Sequence, residues 1–272
     1  VTAPRKRLDV LLVERGLAES RARAQALIRA GAVTVGGQVL DKPGMSVAAD
    51  AAVAVRASPP FVSRGGVKLA AALDAFGIRP HGRVCLDVGA STGGFTDALR
   101  KRGAARVYAV DVGRGQLAWS LRQDPRVVNL ERTDIRSLEV LPEPIGLATV
   151  DVAFISLKQV LPAVRRLITP QAHVVALIKP QFEAGRAHVG HGGIVRDPAV
   201  HRAVLEELLG WAGTHGWRVL GLCPAAIAGG DGNREFLVLL APGPPESPPD
   251  AQAIARLVTA ALAEPDPAEP HP

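Results

Sequence analysis

The sequence predicts a doubly wound α/β domain, with a mostly parallel sheet and an antiparallel last strand, preceded by a small α+β domain. Three observations carry that prediction. Strand-length apolar runs at about 83–88, 106–111, 126–130, 147–151, 173–179, 218–223 and 235–240 alternate with helical stretches. The first of them, Val84-Cys85-Leu86-Asp87-Val88, runs into a glycine turn, Gly89-Ala90-Ser91-Thr92-Gly93-Gly94-Phe95, which opens a helix at the place where such sheets bind nucleotide-like ligands. Residues 1–56 carry a separate pattern of two short helices and a hairpin.

Composition bounds the class. With 272 residues, 47% of them apolar, the chain can fill one large core and one small one. No run approaches the roughly 18 to 20 apolar residues of a membrane span, and no apolar signal core follows Arg5, Lys6 and Arg7, so a soluble, cytoplasmic protein is expected. Cys85 and Cys223 lack flanking ligand spacings, which argues against a disulfide scaffold or zinc site and predicts two buried thiols. The formal net charge of +6 is unevenly placed: residues 1–60 hold nine basic and five acidic side chains, whereas 241–272 hold one and five. Such a distribution suits a polyanionic partner approached by the first part of the chain.

In the first segment, Leu8, Leu11 and Leu12 recur at helical spacing, and Ser20 is placed to cap a second helix whose buried stripe is Ala24, Leu27 and Ile28. Arg21, Gln25 and Arg29 share another face of it, and Gly31 is expected to stop it. Ala32–Val35, Gly36-Gly37 and Gln38–Leu40 read as a hairpin with a two-residue glycine turn, and a strand from Ala52 to Val55 closes the unit. The order R-L-D-x-x-L-x-x-x-G-x-x-x-S-R-x-x-A-x-x-L-I-x-x-G-x-V-x-V-x-G over about residues 7 to 55 resembles the ribosomal-protein-S4-like RNA-binding domain. That resemblance makes Arg5, Lys6, Arg7, Arg21, Arg23 and Arg29 the candidate phosphate contacts, with Arg21 and Arg29 best placed by helical spacing.

Paired prolines make residues 57–62 a linker. The sheet domain follows over 63–242, starting with a helix at Gly66 to Phe76 that carries Lys68. The last two strands are joined by Pro224 to Arg234, too short for an ordinary helical crossover, so the final strand is expected to run antiparallel to its neighbour. Residues 243–272 are expected to form a flexible acidic tail with one short docking helix, striped by Ile254, Leu257, Val258, Ala261 and Leu262.

The glycine turn lacks the G-x-G-x-x-G of a dinucleotide site and the lysine of a phosphate loop. Its spelling, D-x-G-x-x-x-G-G-F, resembles the cofactor turn of S-adenosylmethionine-dependent methyltransferases. In that reading Gly89, Ala90, Ser91, Gly93, Gly94 and Phe95 form the turn, while Asp87 faces the methionine amine, Asp111 the ribose hydroxyls and Asp134 the adenine edge. Four further charged residues, Lys68, Asp151, Lys179 and Glu235, are brought by the sheet topology to the carboxyl edge of the strands, where ligands bind.

The segments Val62–Leu69, Asp87–Phe95, Ala109–Leu117, Asp151–Leu157, Ile178–Glu183 and Gly192–Asp197 resemble the TlyA family, which joins an S4-like domain to an FtsJ-like, Rossmann-like methyltransferase domain. The resemblance implies a ribosomal RNA 2′-O-ribose methyltransferase using S-adenosyl-L-methionine on cytidines of 16S and 23S rRNA in the 30S and 50S subunits. It also makes Lys68, Asp151, Lys179 and Glu235 the catalytic tetrad. At the position of Asp134 relatives often carry Asn; either side chain accepts a bond from an adenine amine.

The chemistry asks for these residue types. A ribose 2′-hydroxyl is a weak nucleophile that must lose its proton as it attacks a sulfonium methyl, so a base must stand beside it. Lysine serves as a base only when neutral. Lys179 is expected to be that base or to orient the hydroxyl, with Lys68 as the neighbouring charge and Asp151 and Glu235 orienting the amines. No metal is required, and His188 and His191 read as parts of a glycine-rich lid rather than as metal ligands. Phe95, Phe154 and Phe182 either stack an extruded base or pack in the core. Two other classes remain open at this level: a noncatalytic RNA-binding or ribosome assembly factor, and a membrane-active haemolysin.

Overall fold

A computed structural model describes residues 4–29, 32–55, 60–185, 188–229, 232–244 and 250–264. Gly31, residues 57–59 of the expected linker, and 245–249 and 265–272 of the expected tail lie outside the described residues. Contacts divide the chain into two units, residues 1–60 and 61–272.

The first unit runs β1 (Arg5–Arg7), α1 (Leu8–Glu14), α2 (Arg21–Arg29), β2 (Val33–Val35), β3 (Gln38–Val39), β4 (Ser46–Ala48) and β5 (Val53–Val55). Its core is the predicted leucine stripe of α1 packed on Ala24, Leu27 and Ile28 of α2, closed by Val33 and Val47. Ser20 Oγ accepts the Arg23 amide, the cap expected there. Gly36 and Gly37 both have positive φ, 58° and 84°, as a two-residue hairpin turn between β2 and β3 requires. The antiparallel pairing of β1 with β4 was not predicted, because Arg5-Lys6-Arg7 has no apolar alternation and is held through its backbone.

The second unit is the doubly wound sheet. In chain order it comprises α3 (Arg64–Ala75), β6 (Val84–Val88), α4 (Gly94–Lys101), β7 (Arg106–Asp111), α5 (Trp119–Arg122), β8 (Val127–Glu131), β9 (Ile145–Val150), α6 (Leu157–Leu167), β10 (Ile168–Ile178), α7 (Pro180–Glu183), α8 (Pro198–Thr214), β11 (Trp217–Pro224), β12 (Phe236–Pro242) and α9 (Ala251–Ala263). The strand order is β11-β12-β10-β9-β6-β7-β8, and β12 is antiparallel to both its neighbours while the others are mutually parallel. β10 starts five residues before the predicted 173, since the exposed Pro170 and Gln171 interrupt the apolar pattern and a register shift follows Ile168.

Successive residues of the central strands face opposite cores and are buried on both sides, which is why these strands read as near-continuous apolar runs. Leu86, Val88, Ala148, Val150, Ala176 and Val238 face a core shared with α6, α8 and α9. Cys85, Leu147, Val175, Leu177 and Leu237 face the opposite core, built on Leu69 and Leu73 of α3 and Leu99 of α4. Cys85 is buried, but Cys223 is only half-buried, because β11 lies at the edge of the sheet. Burial pushes these thiols up to about 12 and about 11 respectively. No helix among the described residues is long and apolar enough to cross a membrane.

α9 docks through Ile254, Val258 and Ala261, with Asp250 capping its first turn through the Gln252 and Ala253 amides. The Val258→Ala substitution deletes the equivalent of two buried methylenes and is expected to cost about 1.5 kcal/mol in urea unfolding; an unchanged midpoint would show that α9 is not packed as described.

Candidate active site

The chain winds outward from β6 to β8 and returns to β9 on the other side of β6, so the switch point of the sheet lies between the ends of β6 and β9. Crevices at such points take ligands because the following loops diverge there. Gly89 ends β6 at this point with φ 81°, and a Cβ on it would collide with the Asp151 carbonyl, so only glycine lets the two strand ends close up. Ala90 and Gly93 of the turn are buried and Ser91 takes a left-handed φ of 48°.

Asp87 does not face the ligand space. Its carboxylate is fully enclosed, accepting the hydroxyls of Thr96 on α4 (2.6 Å) and Thr149 on β9 (2.9 Å). Burial pushes it up to about 7, partly offset by the two threonines. Its position ties the turn, α4 and β9 together from beneath, in place of the expected contact with a methionine amine.

Two cavities open at the switch point. The larger, about 660 Å³, is bordered by Asp111, Asp134 and Lys179 and by the apolar Val112, Ile135 and Val152. Asp111 Oδ2 accepts the Ser91 amide at 2.7 Å and Oδ1 the Gly113 amide at 2.6 Å, which fixes the carboxylate and leaves each oxygen a free lone pair. Asp134 is held by a bidentate bond from Arg136, which keeps its carboxyl below the ordinary range. The smaller cavity, about 240 Å³, is bordered by Ser63, Arg64, Lys68, Thr92, Gly94 and Phe95. Gly89, Ser91 and Asp151 border both, so the two meet there.

The four charged residues converge as two ion pairs. Lys68 on α3 and Glu235, just ahead of β12, are buried and 2.5 Å apart. Lys179, at the end of β10, lies 2.6 Å from Asp151 Oδ1 at the end of β9. The antiparallel course of β12 is what brings Glu235, at its start, to the same edge as the ends of the parallel strands. Glu235 borders neither cavity; it stands behind Lys68.

Sequence reasoning missed Asn233. It is 1% exposed, accepts the Val195 amide and donates to the Gly193 carbonyl, both at 2.9 Å, and so fastens the loop that carries His191 beside Glu235. Its partners are about 40 residues away in sequence, and no local pattern marks them. Among the aromatics, Phe95 is buried in the core. Phe154 is 90% exposed with a left-handed φ of 64°, its ring 5.0 Å from that of Phe182. Among the described residues no group of three or more His, Cys, Asp or Glu side chains could hold a metal ion.

Comparison with known proteins fits this geometry. Residues 61–241 match the FtsJ-like methyltransferase family and residues 6–53 the S4 domain. The 16S/23S rRNA (cytidine-2′-O)-methyltransferase TlyA of Mycobacterium tuberculosis is 48% identical over 244 residues, 88% of this chain and 90% of the relative. Hemolysin A of Brachyspira hyodysenteriae is 38% identical over 85% of this chain and 98% of its own length. A solved structure from Streptococcus thermophilus, provisionally described as a hemolysin, is 42% identical with a TM-score of 0.71, covering 95% of this chain and 96% of that one. The chain belongs to the TlyA family.

In its S4 domain the six candidate phosphate contacts are all exposed, but most are already engaged. Arg5 donates to the Ser46 carbonyl, and Lys6 pairs with Glu14 at 2.6 Å. Arg7 and Arg21 both bind the buried Asp9. Arg29 reaches Gln25 only at 3.5 Å, and the Arg23 side chain has no recorded partner among the described residues.

Asp87 gives a pH signature. Its carboxyl titrates at about 7 in the fold against 3.8 ordinarily, so between those values the folded chain holds a proton that the unfolded chain has lost. Stability therefore falls as pH rises through this window, and melting temperatures at about pH 5 and about pH 8 should differ more in the wild type than in Asp87→Asn. Equal slopes would mean that Asp87 is solvated.

Proposed function

We propose that this protein transfers a methyl group from S-adenosyl-L-methionine to cytidine 2′-hydroxyls of ribosomal RNA, in both 16S and 23S rRNA within the 30S and 50S subunits, and so acts in the cytoplasm. The observation that carries the reading is the convergence of two lysine–carboxylate pairs on one crevice, Lys179 bordering its larger cavity, Lys68 its smaller one and Asp151 both. The activity for which the M. tuberculosis relative is named supports the choice of ribosomal RNA and cytidine.

The residues fit the cofactor. Val112 and Ile135 offer apolar walls for an adenine, Asp111 offers fixed acceptors for ribose hydroxyls, and Asp134 stands where an exocyclic amine would donate. Arg64, Ser63 and Thr92 border the polar cavity suited to the charged amino-acid end, and the side-chain-free Gly89 lets backbone approach it. When bound, S-adenosylmethionine supplies an electrophilic methyl on a sulfonium.

The chain's own residues then position and deprotonate the nucleophile. Lys179 orients the attacking 2′-hydroxyl or, once its own proton has been released, accepts the hydroxyl proton at Nζ as the oxygen attacks, with Asp151, 2.6 Å away, stabilising the ammonium that forms. Lys68 places a positive charge on the smaller-cavity side, and Glu235 balances it in a buried setting where an unpaired ammonium would be costly. Phe154 offers an exposed aromatic face to a base turned out of its helix.

Transfer of labelled methyl from S-adenosylmethionine to unmodified 30S and 50S subunits tests the reading. Both subunits should take up label, and Lys179→Ala should lose about 10²- to 10⁴-fold in kcat with cofactor affinity intact; near-normal turnover would remove Lys179 as base, and no label on either subunit would refute the substrate. Calorimetry should find that Asp111→Ala binds the cofactor about 10- to 100-fold more weakly, the cost of hydrogen bonds to a charged group. Unchanged affinity would displace the ribose from Asp111.

A further inference from the structure

Asp9 is a carboxylate in a place where RNA contact calls for positive charge. It opens α1, is 0% exposed, and is the hub of the basic face of the first unit. Arg7 grips it with two bonds, Nε to Oδ1 and Nη2 to Oδ2, both 3.0 Å. Arg21 Nε and Gln25 Nε2, one turn apart on α2, each donate to Oδ2 at 2.9 Å. These bonds, led by those from Arg7, hold the Asp9 carboxyl well below the usual carboxylate range, so it stays ionised.

The arginines remain half exposed, at 51% and 55% of their side chains. Arg21 spends only Nε on Asp9, and among the described residues neither of its Nη atoms has a recorded partner. Arg7 likewise makes no recorded bond through Nη1 among the described residues. Each half-exposed guanidinium therefore keeps its Nη1/Nη2 edge, that of Arg7 lying over the exposed Gly44, as a pair of donors of the kind that takes a phosphate bidentately. Because both bind the same oxygen, Arg7 Nη2 and Arg21 Nε stand no more than about 6 Å apart. Without the carboxylate between them, two cations this close would repel and their long side chains would scatter. Lys6 and Arg5 have no comparable anchor, since their partners are exposed.

We propose that Asp9 is a positioning residue that presets Arg7 and Arg21 as a two-pronged clamp for adjacent phosphates of an RNA strand. This rests on the RNA reading of the first unit and adds which of its arginines bind phosphate and why they are ready to. The clamp works by ordering the side chains before RNA arrives, so that binding does not have to.

The test exploits a sign. Asp9→Asn raises the formal net charge from +6 to +7, so charge alone predicts equal or tighter RNA binding. The clamp predicts the reverse. With the full chain and a labelled, transcribed, unmodified 23S rRNA fragment at fixed salt, Asp9→Asn should weaken binding about tenfold, and in methyl transfer it should raise KM for RNA with kcat unchanged. Arg21→Lys keeps the charge but loses the fork, and should bind as weakly as Arg21→Ala. Wild-type or tighter affinity in Asp9→Asn, or wild-type affinity in Arg21→Lys, would overturn the clamp. Should Asp9→Asn fail to fold, the Arg21→Lys comparison decides alone. A wild-type chain that does not bind the fragment would overturn the RNA reading itself.

Discussion

The close approach of Gly89 to the Asp151 carbonyl governs the second unit. Two adjacent strand ends can meet so tightly only where one has no side chain, and this contact sets where the crevice opens and how its two cavities join. From it follow the left-handed Ser91, the fixed Asp111 carboxylate that accepts the Ser91 amide, and the placement of Asp151 in the wall of both cavities. Asp87 secures the arrangement from below, its enclosed carboxyl accepting the hydroxyls of Thr96 and Thr149. Such a group weakens the fold at neutral pH while ordering the turn, a trade familiar where function needs a defined geometry.

Charge balance organises the rest of the site. Each lysine has its own carboxylate, so two ammonium groups can stand at one crevice without an uncompensated charge in a poorly solvated place. The pairs differ in setting: Lys68–Glu235 is the more deeply buried, with only Lys68 reaching the smaller cavity, whereas Lys179–Asp151 borders the larger one. That asymmetry fits one pair that holds the electrostatics and one that exchanges a proton. The same device recurs in the first unit, where one buried carboxylate organises two arginines.

Much of this was legible in the sequence because it rests on local signals. The seven strands were marked by apolar runs, the turn by its glycines, and the reversal of β12 by a connection too short for a helix. The convergence of Lys68, Asp151, Lys179 and Glu235 followed from topology, since each lies at the carboxyl edge of the sheet. What stayed hidden depended on distant partners. Asp87 reads as a ligand-facing acid until Thr149, 62 residues on, is seen to close over it. Arg21 reads as a free phosphate contact until Asp9 is seen to hold it. Asn233 and the β1–β4 pair likewise depend on contacts that no local period encodes. Cys223 was expected to be buried because its strand is apolar, but a strand's place at the sheet edge is a property of the whole fold.

The central claim is that these paired lysines act on a ribose hydroxyl rather than on a base. Digestion of RNA from subunits methylated by the purified protein, followed by mass analysis of the nucleosides, addresses it most directly. The account predicts 2′-O-methylcytidine, with the added mass on the sugar fragment. A methyl found on the cytosine ring, or on another nucleoside, would contradict it.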